Sequence, residues 1–238
     1  MRILLIGYGK MGKTIEQLAL SKGHEIIGRI DHNNAEDLLN YTSENADVAI
    51  EFTHPEAAYG NISYCLTHGI PVVSGSTGWL DKFEEAVELC KKNNGAFFYA
   101  SNYSVGVNLF FHFNEYIASK MQAYPEYQVG IREIHHLQKV DKPSGTGITT
   151  AEGILSSYKN LGGWVADSPE EKNKLNIASE REPDVVGTHI VTYSSEVDQI
   201  ELGHIAHSRA GFAEGAVMAA SWLVSRKGVY GMKDMLNL

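Results

Sequence analysis

The sequence predicts an α/β protein: a Rossmann-like doubly wound parallel sheet with an inserted α+β domain built on an antiparallel sheet. Three observations carry that expectation. Strand-like and helix-like segments alternate through the first hundred residues. A glycine-rich turn joins the first strand to the first helix. After residue 104 the alternation gives way to longer strands and a hairpin pattern, before an alanine-rich closing helix. A chain of 238 residues suffices for two modest domains. The expected division is residues 1–104 with 210–238 as one domain and residues 105–209 as the insertion.

The elements follow in order. Residues 2–6 form a short continuous apolar run, the kind of strand buried on both faces of a parallel sheet. Residues 7–12 turn, and residues 13–22 repeat apolar Ile15, Leu18 and Ala19 at helical spacing until Gly23 stops them. Strands are expected at 25–30, 47–52, 70–74 and 96–100, with helices at 55–68 and 80–93 between them. Strands separated by helices of that length imply right-handed crossovers and a parallel sheet. In the second half, residues 109–121 read as a helix, 128–135 as a strand and 149–158 as a helix. Residues 160–171 form a polar connection with no clear period. Residues 188–194 and 199–204 alternate like an antiparallel hairpin around 196–198, and residues 212–225 form a helix ended by Gly228.

Composition narrows the function classes. The net charge of −9 disfavours broad attraction to nucleic acid or anionic membrane, so neither is an expected partner. No apolar run approaches membrane-spanning length, and the start of the chain does not read as a signal peptide. Cys65 and Cys90 have no metal-type spacing and no disulfide framework. They read as free thiols of a reducing compartment, which makes the cytoplasm the expected location.

Gly7-Tyr8-Gly9-Lys10-Met11-Gly12 is a G-x-G-x-x-G between strand and helix. The first glycine permits a tight turn, the second lets backbone approach a pyrophosphate, and the third lets helix meet strand. Asp31 stands where the second strand should end, placed to accept ribose hydroxyls of a dinucleotide. It favours a free 2′-hydroxyl and hence NADH, while His32 and Arg29 leave room for the extra phosphate of NADPH. The turns Gly75-Ser76-Thr77 and Ala100-Ser101-Asn102-Tyr103 follow later strands at the carboxyl edge, where ligands bind in such sheets.

The densest chemistry lies between residues 133 and 147. Along a strand, Glu133 and His135 share one face. His135 can move a proton near neutral pH, and Lys139, on the following loop, can donate one or bind a carboxylate. Ser144 can cap the next helix, whose first amides, at Gly145 and Thr146, suit a carboxylate or phosphate. Rival motifs fail: Gly147 is not followed by the lysine of a P-loop, no G-x-S-x-G elbow is present, and the histidine pairs lack a metal-binding arrangement. No metal is expected.

These residues together resemble the 4-hydroxy-tetrahydrodipicolinate reductase family of the bacterial diaminopimelate–lysine pathway. The likeness runs through the glycine turn, Phe52-Thr53-His54-Pro55, Gly75-Ser76-Thr77-Gly78 and Asn102-Tyr103-Ser104-Val105-Gly106-Val107-Asn108. It continues through Glu133-Ile134-His135-His136, then Lys139 to Thr146, and closes on Ser208-Arg209 with Phe212 to Ala216. The resemblance implies that His135 is the general acid and Lys139 a second proton donor. His136, Ser144, Gly145 and Thr146 would hold a carboxylate of a small dicarboxylate substrate. Gly7 to Gly12 and Asp31 would hold NADH or NADPH, with Gly75, Ser76, Thr77, Ala100, Ser101, Asn102 and Tyr103 around the nicotinamide half. It also implies a homotetramer assembled through the inserted domain. One departure is clear: residues 157–179 lack the arginine- and glycine-containing run that many members carry. Two alternatives compete, a dehydrogenase of another amino or keto acid and a non-catalytic dinucleotide sensor. Neither has a use for His135 and Lys139 beside a Ser-Gly-Thr turn.

Overall fold

In the computed structural model, which describes residues 1–208 and 210–238, the chain divides into two units: residues 1–105 with 210–238, and residues 106–209. Arg209, one of the residues that carry the resemblance, lies outside the described residues. The elements of the first unit begin with β1 (Arg2–Ile6), α1 (Lys10–Ser21), β2 (Glu25–Ile30), β3 (Val48–Glu51) and α2 (Pro55–Thr67). They continue with β4 (Val72–Ser74), α3 (Phe83–Lys92) and β5 (Ala96–Tyr99). Then come α4 (Val105–Met121), β6 (Gln128–His135), α5 (Gly145–Leu155), β7 (Trp164–Ala166), β8 (Leu175–Arg181), β9 (Gly187–Ser194) and β10 (Gln199–Ala206). The chain closes with α6 (Ala210–Leu223), β11 (Gly228–Tyr230) and α7 (Met232–Leu236).

The first unit is a six-stranded sheet in the order β11-β5-β4-β3-β1-β2, with every pairing parallel. Its strands are apolar at successive residues because both faces are covered. Ile3, Leu5, Val48, Ile50 and Val73 pack with Ile15 and Ala19 of α1 and with Ala216, Val217 and Leu223 of α6. The alternate residues Leu4, Ile6, Ala49 and Val72 pack with Ile62 and Leu66 of α2 and Ala86 of α3. The sequence pattern ended at Gly228, whereas the structure adds β11 and α7. Gly228, at φ +120°, opens a three-residue strand that pairs with β5. A strand that short has no readable period.

The second unit holds a five-stranded sheet in the order β10-β9-β6-β8-β7. The fold class stands, but this sheet is mixed rather than wholly antiparallel. β10 and β6 flank β9 antiparallel, while β6 pairs with β8 and β8 with β7 in parallel. The cause is α5, which carries the chain across one face so that the next strands enter in the direction of β6. Ile177, Ile131 and Val191 stand side by side across β8, β6 and β9, and they pack with Phe110 and Ala118 of α4 and Ala151 and Ile154 of α5.

Candidate active site

The contacts of the glycine turn show why its first and third glycines are required. Gly7 lies at φ +98°, and a Cβ there would sit 2.0 Å from the Phe52 carbonyl oxygen. A Cβ on Gly12 would sit 2.2 Å from the carbonyl oxygen of Gly7. Gly9 is exposed, caps α1 without a side chain, and has nothing within 4 Å of where a Cβ would be. The first amides of α1 therefore have room for a phosphate. Lys10 is exposed beside this turn and Met11 half-buried. Tyr8 donates its hydroxyl hydrogen to Glu16, which also receives both Nε and Nη2 of Arg29. The Arg29 hydrogen bond, then that of Tyr8, holds the Glu16 carboxyl below its usual range. Asp31 follows β2 directly, half-buried, and Asp31 Oδ1 accepts from the Asn33 amide at 2.7 Å.

The later turns divide between exposed and structural positions. Thr77 and Ser101 are exposed, Gly75 and Asn102 half-buried, and Ala100 buried. Asn102 Oδ1 accepts from the Ser104 amide at 2.9 Å. Ser76 and Tyr103 turn inward instead. Tyr103 donates to the Ser74 carbonyl at 2.7 Å, and Ser76 Oγ donates to Glu51 Oε1 at 2.8 Å. Glu51 escaped the sequence reading. It is fully buried at the end of β3 and also accepts from the Thr53 amide and hydroxyl and from Ser74 Oγ. One carboxylate thus ties the turn after β3 to the turn after β4.

In the second unit the apolar row of Ile177, Ile131 and Val191 continues two residues on as Ser179, Glu133 and His189. The face that builds the core therefore becomes polar at the carboxyl end of β6. Glu133 is fully buried and accepts from the Ser144 amide at 2.9 Å, the Ser144 hydroxyl and Ser179 Oγ at 2.9 Å. Burial pushes its carboxyl up, but the neighbouring His135 and His189 imidazoles and the hydrogen bonds from Ser144 outweigh that and hold it well below the carboxylate range. Ser144 caps α5 as expected, accepting from the Gly147 amide at 3.0 Å. Gly145 is exposed and Thr146 half-buried at the helix start, beside the cap.

His135 ends β6 almost fully buried, with Nε2 3.3 Å from His189 Nε2 and 3.7 Å from Glu133 Oε2. His136, half-buried, follows the strand end. Lys139 is tied to Asp141, with Nζ 2.8 Å from both carboxylate oxygens. Arg181, opposite His135 in the register, donates to the carbonyls of Lys139 and Asp141 and pins that loop. His189, Ser179 and Arg181 were missed in the sequence because only strand register brings them to Glu133 and His135. His189 is buried, and that burial pushes its imidazole pKa down, with Glu133 partly opposing.

Donor atoms of Glu133, His135 and His189 lie within 4.8 Å of one another, which raises the question of a metal. Their neighbours fit a hydrogen-bonded network better. Glu133 already accepts from Ser144 and Ser179, His189 Nε2 faces Ser144 Oγ at 3.1 Å, and His189 Nδ1 is buried without a partner among the described residues. A metal-bound imidazole ordinarily donates that second N–H to a carboxylate, carbonyl or water.

Comparison with known proteins agrees with this layout. The family model described as "Dihydrodipicolinate reductase, N-terminus" matches residues 1–103, and "Dihydrodipicolinate reductase, C-terminus" matches residues 106–236. A curated 4-hydroxy-tetrahydrodipicolinate reductase from Christiangramia forsetii is 49% identical over 239 residues, spanning 100% of this chain and 98% of its own. One of the same name from Alkaliphilus metalliredigens is 33% identical over 245 residues, spanning 100% of both. The dipicolinate-bound dihydrodipicolinate reductase from Paenisporosarcina sp. TG-14 superposes with a TM-score of 0.78 at 24% identity, covering 98% of each chain. At that identity the superposition speaks for the fold.

Proposed function

The chain belongs to the dihydrodipicolinate reductase family, and on that premise we propose that it reduces 4-hydroxy-tetrahydrodipicolinate to tetrahydrodipicolinate in the diaminopimelate–lysine pathway, with His135 delivering the proton and Lys139 as second donor. It is an oxidoreductase with a nicotinamide cofactor. The observation that carries the assignment of the acid is the buried Ser179–Glu133–His189 row, against which His135 is held beside the capped start of α5.

Gly7 to Gly12 and Asp31 fit the dinucleotide, because crowding at Gly7 and Gly12 fixes the tight turn and the open, exposed Gly9 leaves the backbone free to approach phosphate. Gly75, Ser76, Thr77, Ala100, Ser101, Asn102 and Tyr103 serve the nicotinamide half, with Ser76 and Tyr103 acting through the shape of the turns. When bound, the nicotinamide would supply a hydride to the conjugated imine that forms as the substrate's 4-hydroxyl leaves as water. The resulting enamine needs a proton, which His135 supplies. The amides of Gly145 and Thr146, with His136, hold a substrate carboxylate, and Ser144 serves by capping the helix that presents them, its own donors being taken by Glu133. Lys139 can act only on leaving Asp141.

NADH is the preferred cofactor in this reading. Asp31 suits a free 2′-hydroxyl, and the guanidinium that could meet a phosphate, Arg29, is bound to Glu16. A homotetramer is supported by the sheet edge at β10, which leaves Ile200 and Ile205 exposed. A cytoplasmic location is supported by the two buried free thiols. Among the described residues no helix is long and apolar enough to cross a membrane.

Purified protein should oxidise NADH faster than NADPH, and only with the condensation product of aspartate semialdehyde and pyruvate present. No loss of reduced nicotinamide with either cofactor refutes the assignment. His135→Ala should lower kcat by about 100-fold or more while cofactor Kd stays within about twofold. An equal fall in both makes His135 structural. Light scattering should give four times the 26.2 kDa chain mass; a monomer or dimer rejects the tetramer.

A further inference from the structure

Glu51 is a fully buried acid in the first unit, and among the described residues it forms no ion pair. We infer that Glu51 holds a negative charge beneath the dinucleotide crevice, where it favours NAD+ over NADH and so eases departure of the hydride. The inference rests on the proposed placement of the nicotinamide half at the turns after β4 and β5.

The charge follows from a count of hydrogens. Four donors converge on the two carboxyl oxygens. Oε1 accepts from the Thr53 amide at 3.0 Å, the Thr53 hydroxyl and Ser76 Oγ at 2.8 Å, and Oε2 accepts from Ser74 Oγ at 2.6 Å. Ser76 Oγ itself receives the Thr53 amide at 2.7 Å, which leaves its own hydrogen for Glu51. A proton on Glu51 would turn one of these bonds round. On Oε2 it would make the Ser74 hydroxyl accept, and that hydroxyl is fully buried with no second partner among the described residues for its hydrogen. On Oε1 it would displace a hydrogen of Thr53 or Ser76. The ionised carboxylate satisfies all four donors.

Strand order puts that charge under the crevice. β2 lies on one side of β1 and β3 on the other, so the sheet reverses its direction of growth between β1 and β3, where ligands bind beyond the strand ends. Glu51 ends β3 opposite Ile6, which ends β1, and opposite Ser74, which ends β4. The glycine turn and the Gly75 turn start at the next residue of each neighbour. Tyr103, placed with the nicotinamide half, feels the same charge: burial first, then Glu51, pushes its phenol above the ordinary range. The nicotinamide ring is neutral in NADH and cationic in NAD+, while the pyrophosphate is common to both. A fixed charge therefore separates the two forms only through the ring. Hydride departure carries an electron pair to the conjugated imine and leaves positive charge on the ring, which Glu51 stabilises without moving.

The test measures Kd for NAD+ and for NADH by calorimetry on the full-length protein without substrate. Glu51→Gln, which keeps the volume and removes the charge, should raise the ratio of Kd for NAD+ to Kd for NADH about 3- to 10-fold, as a unit charge does through partly screened protein. Glu51→Asp, which keeps the charge on a shorter stem, should leave that ratio within about twofold of the wild type even where both affinities fall. A merely structural role weakens both cofactors alike, so an unchanged ratio in Glu51→Gln overturns the inference. Should Glu51→Gln fail to fold, the wild type decides. With 13C-labelled glutamate, the carboxyl signal lost in Glu51→Asp should be that of a carboxylate at neutral pH, and a protonated carboxyl overturns the inference. Binding of neither cofactor by the wild type refutes the dinucleotide reading itself, a different result from binding with an unchanged ratio.

Discussion

At the scale of single residues, the site is organised by a buried carboxylate and the groups that keep it ionised. Glu133 is held below the carboxylate range, so its share of stability is present above about pH 4.3, the ordinary carboxyl value, and is lost as pH falls through the folded one. His189 works in the same direction for a different reason. Its pKa is depressed by burial, so the unfolded chain takes a proton near pH ~6.5 that the folded chain refuses until lower pH. Acidification from about pH 7.5 to about pH 5.5 should therefore lower the unfolding midpoint before the carboxylates titrate. His24 and His204 are depressed too and contribute to that slope. His189→Gln should flatten it without abolishing it, as read by thermal melts at the two pH values. A slope unchanged by the substitution would mean that His189 is not a buried neutral imidazole. His135 was readable in sequence because an acid, a helix cap and a lysine surround it within fifteen residues. His189 was not readable, since it is an ordinary-looking histidine 54 residues away until the strands pair.

At the scale of elements, legibility followed periodicity. The strands of the first unit are continuous apolar runs because both faces are buried, and such runs stand out. β8 hid because Leu175 and Ile177 begin an alternation that Ser179 breaks, and Ser179 is polar because it serves Glu133. The buried polar row removed the signal that would have revealed the strand. β7 and β11 are three residues each and are defined by partners rather than by pattern. The glycine turn, by contrast, was legible because its constraint is local, and it gives a sharp expectation. Gly12→Ala puts a methyl 2.2 Å from the Gly7 carbonyl, so the first turn of α1 must move off β1. NADH affinity should fall at least about tenfold by fluorescence titration, and the melting temperature should drop as well, since overpacking costs ~1–3 kcal/mol. Unchanged NADH binding would show that the third glycine is not needed to seat the dinucleotide.

At the scale of the whole molecule, the chain leaves its first unit at residue 105 and returns to it at residue 210. The first visit contains the whole glycine motif, Asp31 and five of the six parallel strands. It resembles a self-sufficient nucleotide domain, and the packing contradicts that. Ile3, Leu5, Val48, Ile50, Val73 and Phe98 bury one face of the sheet in a cluster completed by Ala213, Ala216, Val217, Ala219, Ala220, Leu223 and Met232. β11 also covers the edge of β5. Val217, Leu223 and Met232 alone represent on the order of 5–9 kcal/mol of burial, set against a typical total stability of about 5–15 kcal/mol. A chain ending at residue 208 should therefore lose cooperative unfolding of the first unit and bind no dinucleotide, although every residue assigned to the cofactor is present. Adding a peptide of residues 210–238 in trans should restore some binding if the missing face is the cause. NADH binding with unchanged affinity by the shortened chain would show that the returning segment is an accessory layer and that the nucleotide unit folds without it.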